Sequence, residues 1–343
     1  AALTKKAVVI TGGPGTGKTT LIRGIVEILG HKEQKVVLAA PTGRAAKRLA
    51  EATGLGAKTI HRLLEFNPIT GAFNKSREQP IEADCVVIDE VSMLDVELAA
   101  MLLEAVPPAT RIVLVGDADQ LPSVGPGNVR ADLIASESLP VIRLEEIFRQ
   151  TDRSLIVENA HRINSGDMPK VDEDPESSDF FFVARDDPAA AAELAIDFAT
   201  RRIPGRFGLD PIDDIQVLSP MHRGELGVTR LNERLQAALT PKGRELVVGW
   251  RRFRVGDKVM QVRNNYELDV FNGDLGRITD IDFEERKLTV SFDGLPTVIP
   301  PDVLEDIVPA YACTIHKSQG SEYPAVVIVL HHQHHVMLQR NLL

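Results

Sequence analysis

The stretch Ile10-Thr11-Gly12-Gly13-Pro14-Gly15-Thr16-Gly17-Lys18-Thr19 constrains this chain more than any other. It has the spacing G-x-x-x-x-G-K-[ST], follows the apolar run Ala7–Thr11 and precedes a helical pattern over Thr19–Leu29. A strand, a glycine-rich turn and a helix in that order commit the chain to a parallel α/β sheet with ligand at the carboxyl ends of its strands. Glycines let the backbone wrap a phosphate with its N–H groups pointing inward, and the helix N-terminus adds positive potential. Gly12, Gly13, Pro14, Gly15, Thr16, Gly17, Lys18, Thr19 and Thr20 are therefore the candidate nucleotide-binding set. Lys18 would reach the β and γ phosphates, and Thr19 would ligate Mg2+.

Two further strands carry chemistry at their ends. Val86-Val87-Ile88 delivers Asp89 and Glu90. Behind a phosphate loop, Asp89 is suited to hold Mg2+ and Glu90 to polarise the attacking water as general base. The same two acids alone would fit the first turn of a helix. The pairing points to nucleoside triphosphate hydrolysis rather than kinase chemistry. Ile112–Val115 ends in Gly116-Asp117-Ala118-Asp119-Gln120-Leu121-Pro122. The amide of Gln120 can donate to a γ phosphate and accept from water. The stretch fits an Asp- and Pro-rich turn equally well.

The 343 residues are enough for two or three domains. Strand candidates Lys35–Ala40, Cys85–Asp89, Arg111–Gly116 and Val141–Leu144 alternate with helical patterns through residue 150. The expected fold class is α/β with parallel sheets covered on both faces. Residues 65–80 interrupt it with a small β-hairpin turning at Gly71. Phe180–Ala184 and Ile215–Ser219 are strand candidates of a second α/β block, with helices over Pro188–Thr200 and Glu225–Ala238. Between 245 and 306, short strands are punctuated by Asn272-Gly273-Asp274, Glu284-Glu285-Arg286 and Asp293-Gly294, the texture of a small β-barrel. The expected division is 1–150, then 151–244 joined to 307–343, with 245–306 inserted.

Composition narrows the setting. No apolar run reaches the roughly 18 residues of a membrane span, and no secretory signal opens the chain. Cys85 and Cys313 both sit in apolar runs and read as reduced, buried thiols of a cytoplasmic protein. A net charge of −10 argues weakly against a general polyanion binder, although one basic cleft can carry nucleic acid on an acidic body. With no initiator Met and only eleven residues ahead of the phosphate loop, the chain reads as a fragment. The run His331-His332-Gln333-His334-His335 has no cysteine beside it, which weighs against a metal site.

The motifs GGPGTGKTT, APTGRAAKRLAE, TIHRLL, VVIDEVSML, VGDADQLPSVGPG, LEEIFRQ, VLSPMHRGELGVTRLN and TIHKSQGSEYPAVV occur in this order. Together they resemble the RecD-like branch of superfamily 1B DNA helicases, from about residue 7 to the end. The resemblance implies two RecA-like domains, ATP in the cleft between them, and single-stranded DNA crossing both with 5′-to-3′ movement. It implies that Arg149 reaches the γ phosphate, for which a planar guanidinium fork is suited. It implies DNA contacts by Pro41, Thr42, Arg44, His61, Ser123, Val124, Thr314, His316 and Lys317, and nucleotide contacts by Gly320 and Glu322. Lys47 and Arg48 share a helix face with Arg44 and suit either phosphates or a solvated face. The hairpin lies where this branch carries its strand-separating pin. Phe66, Ile69 and Phe73 would split the duplex or simply pack the hairpin. The insert resembles the branch's Src-homology-like barrel, which guides the single strand. Two family segments are missing: one before the phosphate loop with an adenine-reading glutamine, and one after Leu343 with a further arginine.

The implied function is an ATP-dependent, 5′-to-3′ DNA translocase and helicase in repair or recombination. Its ligands would be ATP, Mg2+, single-stranded DNA and 5′-tailed duplex DNA. It would act as a monomer away from membranes, beside other repair proteins. Alternatives are a nucleotide-switched DNA-binding module of a larger complex, or an RNA helicase of the same superfamily.

Overall fold

Period-two burial along the central strands organises the first compact unit, Ala1–Phe182 with Arg340–Leu343. In the computed structural model, residues 14, 68, 69, 118, 119, 124, 145, 147–153, 173–177, 336 and 343 are not described. Unit 1 runs β1 (Ala7–Gly12), α1 (Lys18–Gly30), β2 (Val36–Ala40), α2 (Gly43–Thr53), β3 (Ala57–Thr59) and α3 (Ile60–Leu63). There follow β4 (Phe66–Asn67), β5 (Ala72–Phe73), β6 (Cys85–Ile88), α4 (Val96–Ala105), β7 (Arg111–Gly116), α5 (Val129–Ala135), β8 (Val141–Leu144) and α6 (Leu155–Ser165). Successive strand residues point to opposite faces. Val8, Ile10, Cys85, Val87, Val113 and Val115 pack with Ile22, Ile25, Val26 and Leu29 of α1. Val9, Val86, Ile88, Ile112 and Leu114 pack instead with Leu98, Ala99 and Leu102 of α4. Each buried aliphatic side chain contributes about 1.5–3 kcal/mol, so a strand buried on both faces must be apolar throughout.

The strand order is β3-β2-β6-β7-β1-β8, every neighbour parallel. This places the carboxyl ends of β6, β7 and β1 side by side, where open α/β sheets bind ligand. Unit 1 extends past residue 150: Asp179 accepts from Ser154 Oγ at 2.6 Å and from the Leu155 N–H at 2.9 Å, holding the start of α6.

Unit 2, Val183–Gln339, has two layers of different texture. Helices α7 (Pro188–Asp197), α8 (Ile203–Phe207) and α9 (Val228–Leu239) accompany a parallel sheet of β9 (Ile215–Ser219), β17 (Ala312–Thr314) and β18 (Ala325–Ile328). β9 is central and buried along its whole length. Between α9 and β17 lies an antiparallel insert. It begins with the hairpin β10 (Leu246–Val248) and β11 (Arg251–Phe253). It continues with β12 (Lys258–Gln261), β13 (Leu275–Asp282), β14 (Lys287–Phe292), β15 (Leu295–Ile299) and β16 (Ile307–Pro309), in the order β15-β14-β13-β12-β16. Phe253, Val259, Ile278, Leu288, Val290, Ile299 and Ile307 form its own core. The short-strand texture expected over 245–306 is seen as an antiparallel sheet and a hairpin, with the last strand, β16, reaching Pro309.

Two expectations change. Phe180–Ala184 is not a strand; Phe181, Phe182 and Val183 are exposed. A run of aromatic and β-branched residues has strand propensity, but it forms a strand only where a ladder partner exists. The helix expected to end at Thr200 passes through a π turn over Phe198–Arg202 into α8. Pro204 sits in the first turn of α8, where its missing N–H is tolerated. The histidine run closes a turn: His331 Nδ1 accepts from the Gln333 N–H, and its Nε2 lies 3.0 Å from the Asp186 carbonyl. Both ring nitrogens of His331 are thus engaged within the chain.

The two cysteines are buried, and burial pushes the Cys85 thiol up to about 11. Among the described residues, no helix is long and apolar enough to cross a membrane.

Asn232 of α9 acts as a surrogate strand neighbour for Ala312, accepting from its N–H at 2.9 Å and donating to its C=O at 2.8 Å. Asn232→Ala should destabilise unit 2 by about 2 kcal/mol or more, since two buried backbone groups lose their partners. Urea unfolding followed by far-UV dichroism checks this; an unchanged midpoint would show that those groups find other partners.

Candidate nucleotide-binding site and polar loops

β1 ends at Gly12, and the loop to α1 returns in a left-handed conformation at Gly15 (φ 76°) and Gly17 (φ 82°). A Cβ on Gly12 would lie 2.5 Å from Thr16 Oγ1 and 2.9 Å from Leu144 Cβ, so the tight turn excludes any side chain there. Thr16 is buried, its hydroxyl donating to the Gly13 carbonyl at 2.8 Å. Gly13 is half-buried, and Thr19 and Thr20 are exposed on the first turn of α1. Lys18 Nζ donates to the carbonyls of Gly12 (2.7 Å) and Gly13 (2.9 Å). Pro14 lies outside the described residues.

Three carboxylates surround this ammonium. Asp117, at the end of β7 and only 2% exposed, has its Oδ2 4.0 Å from Lys18 Nζ. Asp89, at the end of β6, accepts the Glu90 N–H at 2.9 Å. Burial raises its carboxyl above the usual aspartate range, while that hydrogen bond and Lys18 oppose the rise. Glu90 has φ 54° and ψ 41°, a left-handed conformation uncommon outside glycine that costs energy and clusters at functional sites. Burial first, and Asp89 second, push its carboxyl up to about 7; Lys18 and Arg48 pull the other way and Asp117 adds to the rise. Glu90 Oε2 is buried without a hydrogen-bond partner among the described residues. An orphaned carboxylate oxygen beside Asp89, at a strand end on the same edge of the sheet as the phosphate loop, offers the oxygen donors that suit Mg2+ and its waters. The residues present therefore fit a Mg–nucleotide complex.

Gln120 Oε1 accepts from the buried hydroxyl of Ser92 at 3.3 Å, which ties the β7 loop to the turn after Glu90. In the sequence Asp117 is marked only as part of its motif. Its signal was the one used for Asp89, an apolar strand ending in Asp. Buried Arg130 of α5 also donates to the Asp117 carbonyl, a contact with no sequence signature. Arg149 lies outside the described residues.

The other unit 1 positions fall on loops and short helices. Half-buried Pro41 leads into Thr42, which caps α2 by accepting from the Ala45 N–H at 3.2 Å. Arg44 and Arg48 are half-buried, and Lys47 is exposed. His61 on α3 stacks edge-on to Phe66 (5.6 Å) and tilts on Phe73 (5.7 Å), while Phe66 and Phe73 lie 5.2 Å apart, directly opposite in the ladder. Burial holds the His61 imidazole below its usual range. Of the two alternatives for these phenylalanines, packing the hairpin is the one the geometry supports; Ile69 lies outside the described residues. Ser123 Oγ bonds to the Gly125 carbonyl at 3.1 Å, and Val124 is also outside the described residues.

In unit 2, buried Thr314 ends β17, and His316 and Lys317 form the half-buried 3-10 turn that follows. Lys317 Nζ donates to Asn272 Oδ1 of the barrel at 2.7 Å, and burial holds this lysine below its usual range. Gly320 is left-handed (φ 69°) and Glu322 is exposed.

Three family profiles match the chain: an AAA domain over residues 1–126, the SH3 domain of ATP-dependent RecD-like DNA helicases over 231–292, and a UvrD-like helicase C-terminal domain over 309–343. The chain is 38% identical over 339 residues to the ATP-dependent RecD2 DNA helicase of Deinococcus radiodurans, covering 98% of this chain and 45% of that protein. It is 33% identical over 378 residues to the RecBCD enzyme subunit RecD of Mycolicibacterium smegmatis, covering 99% of this chain and 66% of that one. It thus spans about half to two thirds of the length of these relatives. Its fold is similar to that of the Pif1 helicase from Bacteroides in complex with ADP-AlF3 and single-stranded DNA. That likeness has a TM-score of 0.57 and 18% identity, over 96% of this chain and 84% of that one.

Glu90 supplies a pH test of this geometry. A carboxyl raised from 4.5 to about 7 on folding favours the protonated form. The stability it supports is full below pH 4.5 and is lost as pH rises through about 7. Glu90→Gln stays neutral throughout. In EDTA it should melt with the parent at pH 4 and several degrees above it at pH 8, a gain on the order of 2 kcal/mol. Equal melting temperatures at pH 8 would show that Glu90 is not held in this environment.

Proposed function

The chain belongs to the RecD-like helicase family, and on that premise we propose that it is an ATP-driven motor that moves 5′ to 3′ along single-stranded DNA and unwinds duplexes, in DNA repair or recombination. The observation that carries this reading is the convergence of Lys18, at the start of α1 behind β1, with Asp89 and Glu90 at the carboxyl end of β6, two strands away across β7, with one Glu90 oxygen buried and unengaged.

Lys18 exchanges carbonyl partners for phosphate oxygens when nucleotide binds. Glu90, with its carboxyl near 7, is matched to take a proton from an attacking water at neutral pH, because a general base works best with a pKa near the working pH. Asp117 adds negative potential that keeps that carboxylate basic. Gln120, bonded to Ser92, carries the state of the γ phosphate into the turn that follows Glu90. Arg149 takes the role of arginine finger. Thr19 and Asp89 would hold Mg2+, which would supply positive charge against the phosphates. Pro41, Thr42, Arg44 and Ser123 in unit 1, and Thr314, His316 and Lys317 in unit 2, hold the DNA backbone. Gly320 and Glu322 complete the nucleotide contacts. The hairpin as a whole is the separating pin, its Phe66–Phe73–His61 cluster serving as the foot that stiffens it. The motor works as a monomer in the cytoplasm, on 5′-tailed duplexes, beside other repair proteins.

Lys18→Ala should abolish nucleotide binding, and Glu90→Gln should keep binding while slowing hydrolysis at least about a hundredfold. Strand displacement should proceed on a 5′-tailed duplex and fail on a 3′-tailed one. DNA-stimulated hydrolysis without displacement of either would identify a nucleotide-switched DNA-binding module instead. Stronger stimulation by RNA than by DNA would redirect the reading to an RNA motor.

Replacing residues 67–72 with a two-residue turn should spare DNA-stimulated hydrolysis and remove unwinding. Unwinding at the parental rate would take the pin role away from the hairpin.

A further inference from the structure

Asp257 is fully buried, and no part of the reaction just described uses it. Its Oδ1 accepts from Thr240 Oγ1 at 2.6 Å and from the Tyr311 hydroxyl at 2.9 Å. Its Oδ2 accepts from Gln236 Nε2 at 2.6 Å and from the Arg254 N–H at 2.7 Å. Four donors fill the four lone-pair positions of a carboxylate. A buried polar node satisfied this completely fixes one geometry, because moving any partner leaves an unpaired group in a low-dielectric interior.

The donors come from three places. Gln236 lies on α9 and Thr240 just beyond it. Arg254 lies on the chain leading into β12, and Tyr311 stands at the head of β17. The neighbourhood repeats the pattern. Lys258 Nζ, at the start of β12, donates to the Ile215 carbonyl of β9 at 3.0 Å. The Ala310 N–H donates to the Lys258 carbonyl at 2.9 Å, and Gln216 Nε2 donates to the carbonyls of Ala310 and Tyr311. The barrel is therefore bonded to the α/β layer both where the chain enters it and where it leaves.

β17 is three residues long, so the Tyr311 hydroxyl anchors a strand that ends at Thr314. On the far side of the turn, Lys317 is tied to Asn272, whose own N–H donates to Asn264 Oδ1 at 2.9 Å. The polar turn Thr314–Lys317 is thus fastened to the barrel at both ends. We propose that Asp257 and Tyr311 form a joint that makes the barrel and this turn a single DNA-gripping piece, with Tyr311 as the positioning residue of the turn. The inference rests on the DNA-binding reading of Thr314, His316 and Lys317 given above.

Tyr311→Phe keeps the ring and removes one of the four donors; Asn272→Ala releases the other fastening. Each should raise the single-stranded DNA concentration for half-maximal ATPase stimulation by roughly five- to tenfold, leaving the maximal rate and the nucleotide Kd within about twofold. Amide exchange over residues 312–318 should accelerate by about tenfold in the same variants. Assays run well below each variant's melting temperature keep a mere loss of stability from moving the half-saturation point. Parental exchange over 312–318 would overturn the joint, and so would faster exchange with unaltered DNA half-saturation. A parent chain whose ATPase ignores DNA would defeat the DNA-motor reading instead, and the exchange comparison would still decide whether the joint exists.

Discussion

A single ammonium, Lys18, set among the carboxylates of Asp89, Glu90 and Asp117 is the interaction on which unit 1 depends. Burying more negative than positive charge is unfavourable, and the chain answers in two ways. Glu90 holds its proton up to about 7, and Lys18 is surrounded by carbonyl oxygens and a buried aspartate. Both are the kinds of tension that a Mg–nucleotide complex relieves, since it brings cationic charge to the carboxylates and phosphate to the lysine. The tension exists because the strand order places the ends of β6, β7 and β1 next to one another. The fold thereby assembles in space three acids and a lysine spread over a hundred residues of chain.

Much of unit 1 was legible in the sequence because its central strands are buried on both faces and so are apolar without interruption. Asp89 and Glu90 stood out against that background. Asp117 stood at the end of an equally apolar strand, yet the Asp-Ala-Asp-Gln-Leu-Pro run after it has an inexpensive reading as a turn. The facing of Phe66 and Phe73 was not legible, because a ladder of two residues per strand has too short a period to show which side is covered. Phe180–Ala184 misled for the opposite reason: its local propensity is strong, yet it takes no place in either parallel sheet.

Unit 2 shows where sequence reasoning ends. The turns of the barrel are written in Asn-Gly-Asp and Asp-Gly steps, so its existence and place could be read. Three of the four partners of Asp257 lie 17, 21 and 54 residues away along the chain, at Thr240, Gln236 and Tyr311. No local pattern marks such a meeting. The histidine run is a related case: a composition that suggests metal is used to cap a turn and to hold the Asp186 carbonyl.

β12 and β16, which stand beside the residues that bind the insert to its host, are antiparallel neighbours. To the host sheet the barrel is accordingly a closed excursion, returning to the point it left, and loop closure depends only weakly on what lies between. Residues 254–258 and 309–311 are bound to the host, and Arg277 of β13 donates to the host's Asp213 at 3.2 Å, whereas β14 and β15 are stacked outward from there. Over evolutionary time the outer strands are free to lengthen, shrink or acquire new tips while the hinge-side residues and the host core stay as they are. Members of the family can therefore diverge by remodelling one appendage while the host core stays as it is.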